Sequence, residues 1–147
     1  HTPGHARGHI CLRNAGIGTI IAGDMVAGVG TILLDPPEGH LGQYLESLAA
    51  LRDLHPRLLM PAHGPVIENA EAYLTEYIEH RHKRTEQVIE HLRAVPGATA
   101  DDLAQAIYAE IVPLSFLPIA ARQITAHLEW LEEQGRVSLH ENGYTLR

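Results

Sequence analysis

The apolar positions along the chain change period twice. Short runs come first. Gly8-His9-Ile10-Cys11-Leu12 is a strand candidate, and Gly16 to Ala22 is a second, β-branched and apolar, closing at Gly23-Asp24. Residues 25–38 are rich in glycine and proline and read as a long loop. Leu41, Tyr44, Leu45, Leu48 and Leu51 then recur at helical spacing and predict a helix from about Gly39 to Leu54. His55-Pro56 stops it, because the residue before proline avoids the α region. Arg57-Leu58-Leu59-Met60 reads as a short buried strand, followed by the loop Pro61-Ala62-His63-Gly64-Pro65.

From Asn69 onward the period is helical. Asn69 is the expected N-cap, and Leu74, Tyr77, Ile78, Arg81, Thr85, Val88, Ile89 and Leu92 form one stripe to about Val95. That stripe fits one long helix, or two with a break near Arg81–Arg84. Thr99 is the expected cap of a helix from Ala100 to about Ile111, with Asp102 completing a short-armed capping box. Pro113 and Pro118 are expected to bracket a loop. A further helix follows from about Ile119 to Gln134, with Ile124, Leu128 and Leu131 inward and Gly135 just past its end. Asn142-Gly143 between Arg136–His140 and Tyr144–Arg147 is a hairpin signal. Three helices and a terminal hairpin describe a winged-helix unit. The expected domains are 1–83 and 84–147.

Composition narrows the classes. The 147 residues are 45% apolar and 20% charged, with a net charge of -7, which suits a soluble globular protein and opposes nonspecific binding of nucleic acid. No run is long and apolar enough to suggest a membrane span. A lone cysteine, Cys11, excludes a disulfide framework and leads us to expect a cytoplasmic protein. Eleven residues are histidine, and eight of these precede residue 84. The first 83 residues carry a net charge of -3 and the rest -4.

Three loop segments carry groups able to bind metal: His1-Thr2-Pro3-Gly4-His5, Ala22-Gly23-Asp24 and Ala62-His63-Gly64. In each, imidazole or carboxylate stands near glycine, which lets the backbone bend tightly and admits a substrate close to an ion. Zinc suits such a donor set. His80 and His82 lie about 200° apart on a helix, so they cannot grip one ion and read as a solvated face.

The order and context of these segments resemble the metallo-β-lactamase superfamily of hydrolases. Gly30-Thr31, Pro37-Glu38-Gly39, Tyr44-Leu45, His63 to Ile67 and Tyr77 to Arg81 are similar to one branch of it, the β-lactamase-like proteins with a C-terminal winged helix. The resemblance implies an α+β chain. Its first part would be the C-terminal half of the family's αββα sandwich, followed by an all-α winged-helix domain with a terminal β-hairpin. It implies His5, Asp24 and His63 as metal ligands, with Asp24 bridging two zinc ions and catalytic through them. It also implies hydrolysis by a metal-bound hydroxide, on an acyl ester, thioester or lactone, or on a phosphodiester. Single-stranded RNA is among the implied substrates, since an endoribonuclease belongs to that branch. Gly23 and Gly64 would shape the site. His1 would be in its outer shell or simply packed. His9 would orient a ligand, or be a buried histidine bonded to backbone. His40 would face substrate or water. The loop 25–42 would line the pocket, with Met25, Val29, Ile32, Leu33 and Leu34 as an apolar wall and Gly28 and Gly30 making it mobile.

One departure matters. The family's His-x-His-x-Asp-His signature, which supplies four ligands, is absent. The chain keeps two ligands for each ion, one of them shared, fewer than a catalytic zinc usually has. Weak or no zinc binding and no activity are therefore expected of the chain alone, with the missing N-terminal half of the same domain as its main partner. A half-sandwich should leave an apolar face uncovered, so stability should depend on that half or on a swapped partner in a dimer. The competing reading is a winged-helix binding module, for nucleic acid or protein, beside an inactive hydrolase remnant. Residues 119–135 hold Arg122 against Glu129, Glu132 and Glu133, which disfavours duplex DNA as a partner. Packing or dimer contact is then the unit's expected role, with Tyr108, Phe116 and Trp130 as core or docking face.

Overall fold

The computed structural model describes residues 1–141 and 143–147. The elements are β1 (Leu12–Asn14), β2 (Thr19–Gly23), α1 (Leu41–Arg52), β3 (Leu58–Pro61), α2 (Ala70–Ala94), α3 (Ala100–Tyr108), α4 (Leu117–Glu133), β4 (Val137–His140) and β5 (Gly143–Leu146), with a 3-10 turn at Leu114–Phe116. They form two compact units, His1–Arg81 and His82–Arg147, and the division falls within α2.

The first unit holds a mixed sheet in the order β1-β2-β3, β1 antiparallel and β3 parallel to β2. A parallel neighbour needs a crossover, and the loop after Asp24 together with α1 makes it. The alternation of β2 sorts its faces. Ile20 is buried beside Leu59, and Leu41, Tyr44, Leu48, Leu51 and Leu74 on the helices of this unit are buried too. On the opposite face, register puts Leu12, Ile21 and Met60 in one row, and the bridge between Leu59 and Ile67 adds Val66 beside Met60. These four side chains are 41–59% exposed.

The second unit packs α3 against α4 beside the end of α2. Val88, Leu92, Leu103, Ile124, Leu128 and Leu131 are each at most 1% exposed. His127 is buried in α4, with its Nδ1 2.8 Å from Thr85 Oγ1. β4 and β5 pair antiparallel, and Tyr144 bridges Ala98 on the segment before α3. α4 ends as Gly135 suggests. Gly135 has φ +69°, its N–H meets Glu132 O and the Arg136 N–H meets Leu131 O, which together satisfy the last carbonyls.

The capping box at α3 is complete. The Thr99 hydroxyl accepts from Asp102 N, and the Asp102 carboxylate accepts from Thr99 N at 2.9 Å. The Thr99 side-chain and backbone donors hold the Asp102 carboxyl below its ordinary range. A lowered folded pKa means the box stabilises above that range and loses its effect as pH falls through the folded value. Thr99→Ala is expected to cost about 1 kcal/mol. Thermal melts at neutral and acid pH check this, with the difference between wild type and variant shrinking in acid.

Several expectations are corrected. The first strand begins at Leu12, not Gly8, because residues 2–9 close on themselves: Thr2 N donates to His9 O at 2.9 Å and His9 N to Ala6 O at 3.2 Å. Of the two readings of the stripe after Asn69, the unbroken one holds: α2 is one helix without a break near Arg81–Arg84. α4 starts before Pro118, which sits in its first turn, where a missing N–H costs nothing. Met25, Ile32 and Leu34 are core residues rather than a pocket wall, since their exposures are 7% or less. Of the two roles expected of Phe116, its 52% exposure excludes only the core, which is aliphatic with Tyr108 packed at its edge. The Asn142 half of the hairpin signal lies outside the described residues. Among the described residues no helix is long and apolar enough to cross a membrane.

Candidate metal centre

Asp24 follows the last residue of β2, and His63 stands two residues past β3. Parallel pairing sets these two strand ends side by side, with Gly23 paired to Pro61. His5 comes from the N-terminal loop, whose Gly4 carbonyl accepts from His40 N at 2.7 Å. The three segments meet at one edge of the sheet.

The Asp24 carboxylate lies between the two imidazoles. His5 Nε2 is 3.9 Å from Oδ2, and His63 Nε2 is 3.3 Å from Oδ1. Oδ1 is buried with no hydrogen-bond partner, so the His63 approach is an ion-pair distance without hydrogen-bond geometry. His5 Nδ1 donates to Leu33 O at 3.0 Å. A carbonyl only accepts, so Nδ1 carries a proton, and in the neutral ring this tautomer leaves Nε2 as the nitrogen available to an ion. Each carboxylate oxygen thus faces one imidazole nitrogen. That donor set fits two cations sharing one carboxylate, and a cation would satisfy the orphaned Oδ1. Among the described residues no three such side chains converge on a single point.

His9 accepts from the Asp24 backbone N–H through Nε2 at 3.1 Å, while its Nδ1 donates to Thr2 Oγ1 at 2.9 Å. Burial and then the neighbouring His5 push its pKa down, with Asp24 partly offsetting them. A neutral ring keeps the acceptor that holds Asp24 N. Gly23 has φ +53°, and a Cβ there would stand 2.7 Å from His9 Nε2, so only glycine lets this contact form. Gly64 has φ +84° and lies backbone-to-backbone with Gly28, whose N–H donates to His63 O at 2.8 Å. Gly28 is therefore a packing glycine, not a source of mobility.

Two further residues expected near the site make bonds of their own. His1 is exposed, and its ring donates to Arg7 O at 2.7 Å, so it is neither packed nor against a ligand. His40 caps α1, its Nδ1 accepting from Gln43 N at 3.2 Å, and its backbone N–H holds the Gly4 carbonyl beside His5. His80 and His82 are exposed, as expected. A cleft lined by Ile17, Thr19, Arg57 and Asn69 opens at the other ends of β2 and β3 and holds none of the expected site residues.

The residues missed by sequence reasoning support the site from behind. Tyr44, Tyr73, Tyr77 and Arg81 bond carbonyls of the loop after Asp24. A signal existed: Arg81 is a charge inside an otherwise apolar stripe, and a buried arginine demands partners.

Comparison with known proteins agrees with this architecture. The sequence model of the Metallo-beta-lactamase superfamily matches residues 1–63, and that of the Beta-lactamase associated winged helix domain matches residues 99–143. The Beta-lactamase-like protein 2 homolog of Drosophila melanogaster is 32% identical over 97% of this chain and 47% of its own length. The lactamase-like protein aptB of Emericella nidulans is 36% identical over 76% of this chain and 38% of its own. A metallo-beta-lactamase family protein of Thermus thermophilus superposes with a TM-score of 0.85 at 26% identity, covering 99% of this chain and 48% of that one. A beta-lactamase domain protein of Burkholderia ambifaria shares the fold at the same TM-score of 0.85 and 22% identity, covering 99% of this chain and 46% of that one. The chain belongs to the metallo-β-lactamase superfamily. Within it, the winged helix places the chain among the β-lactamase-like proteins that carry this second domain. It spans about half the length, or less, of the curated relatives named here.

Proposed function

We propose that this chain supplies one half of a two-metal hydrolase centre, with Asp24 as the shared ligand and His5 and His63 each holding one ion. The observation that carries the reading is the Asp24 carboxylate, whose two oxygens each face a different imidazole while one is buried and unbonded. Zinc suits imidazole and carboxylate donors. When bound, such a pair polarises the oxygen under attack and makes water a nucleophile at neutral pH.

The chain's own residues do the rest. Asp24 would hold both ions, one through each carboxylate oxygen. His9 anchors the Asp24 backbone, and the Leu33 carbonyl sets the tautomer of His5. Substrates would be acyl esters, thioesters or lactones, or phosphodiesters including single-stranded RNA, because one metal pair serves both chemistries. The acid-base residue would come from the part of the longer protein that completes the centre. α4 exposes Arg122 against Glu129, Glu132 and Glu133, which favours packing over a duplex-binding role. The decisive measurement is bound zinc per protein in the longer chain, wild type against Asp24→Ala. Unchanged metal content would sink the proposal.

The same reading gives the exposed row of Leu12, Ile21, Met60 and Val66 a partner: the second sheet of the sandwich, carried by the rest of the longer protein. Four half-exposed apolar side chains in a row are a docking face, not solvated surface. The 147-residue chain alone is expected to self-associate in analytical ultracentrifugation and to bind an apolar dye. A monomeric, cooperatively melting chain would overturn this assignment.

A further inference from the structure

The loop 25–33 has no regular structure, so its carbonyls need partners from outside. Two helices supply them. Tyr44 of α1 donates to Met25 O at 2.6 Å. On α2, Tyr73 donates to Ala27 O at 2.6 Å, Tyr77 donates to Gly30 O at 3.1 Å, and Arg81 donates to Ile32 O. Tyr77 also accepts from Ala27 N at 3.1 Å. Tyr73, Tyr77 and Arg81 are spaced four residues apart, which puts them on one face of the helix. They meet the loop's carbonyls in chain order. Arg81 is 2% exposed and lies over the Tyr44 ring at 5.1 Å, so the clamp is one connected body.

The same loop touches every member of the candidate centre. Asp24 is joined to it covalently, Gly28 N holds the His63 carbonyl at 2.8 Å, and Leu33 O holds His5 Nδ1 at 3.0 Å. Any shift of the loop moves both imidazoles relative to the carboxylate. A phenyl ring would fill the same core volume as a phenol, so packing alone does not account for these hydroxyls; the loop carbonyls do.

We infer that Tyr77 and Arg81 are positioning residues that set the metal affinity of the centre by holding loop 25–33 in place. This rests on the two-metal reading above. The test is a titration of the metal-free longer protein with Zn(II) alone and with Co(II) alone, following the Co(II) absorption bands as a record of ligand geometry. Wild type, Asp24→Ala, Tyr77→Phe, Arg81→Lys and Arg81→Met are compared, each with a thermal melt. Tyr77→Phe is expected to weaken binding about 10- to 100-fold, the range for losing an outer-shell partner, and to alter the Co(II) bands. Arg81→Lys should recover part of what Arg81→Met loses. A lowered melting temperature with wild-type affinity and bands would make the clamp merely structural and overturn the inference. If wild type binds no metal, or Asp24→Ala binds as wild type does, the two-metal reading fails and takes the inference with it. Where Tyr77→Phe does not fold, Tyr73→Phe, a partly exposed position, decides by the same criterion.

Discussion

On the two-metal reading, Asp24→Ala is expected to empty both metal positions at once and to abolish hydrolysis by a protein that carries both halves of the centre. The reason is the geometry around one carboxylate. His5 Nε2 faces Oδ2 at 3.9 Å and His63 Nε2 faces Oδ1 at 3.3 Å, so on the two-metal reading Asp24 is the ligand common to both ions. Removing an outer-shell partner usually costs about 10- to 100-fold in affinity or activity, and losing a ligand common to both ions should exceed that. Metal content by elemental analysis should fall from about two ions per protein to none. His63→Ala is the informative contrast, since it should release one ion and leave the other. Loss of both ions from His63→Ala, with Asp24→Ala retaining one, would reverse the assigned roles.

Leu128→Ala should be the most damaging single change in the winged-helix unit. Leu128 is fully buried in α4, within the cluster that includes Val88, Leu103, Ile124 and Leu131. Deleting its isobutyl group removes transfer free energy and leaves a cavity between packed helices, at a cost of about 2–5 kcal/mol. That is a large share of the roughly 5–15 kcal/mol expected for a whole domain. Amide exchange of α3 and α4 in the intact chain should accelerate accordingly. Leu139→Ala is the control, because Leu139 is 55% exposed and surface changes usually stay within about 0.5 kcal/mol. Equal exchange in the two variants would show that the cluster is not what holds this unit.

Much of this architecture is written in local pattern. The stripe Leu41, Tyr44, Leu45, Leu48, Leu51 yields α1, and Thr99 with Asp102 yields the start of α3, because periodicity and capping depend on neighbours in the chain. The order His5, Asp24, His63 is legible as a family pattern, and the structure brings those three segments to one sheet edge. The exact ends of β1 and α4 are not legible. They depend on which loop carbonyl a distant or nearby N–H finds, as in the Thr2–His9 closure.

The roles of individual polar residues also escape local reasoning. His40, read as facing substrate or water, also caps α1; His9 reads two ways and holds Asp24 N. Met25, Ile32 and Leu34 read as a pocket wall and are core, because the clamp folds their loop inward. In the same way the meaning of Tyr77 and Arg81 emerges only when α2 and the loop, about 50 residues apart in the chain, are set side by side. The sequence by itself determined the helices, the winged-helix unit and the three segments that carry imidazole and carboxylate. Only the tertiary structure decided which oxygen faces which imidazole and what holds the loop between them. Local elements follow from periodicity and backbone chemistry, whereas a site is made by distances between segments that no local rule can set.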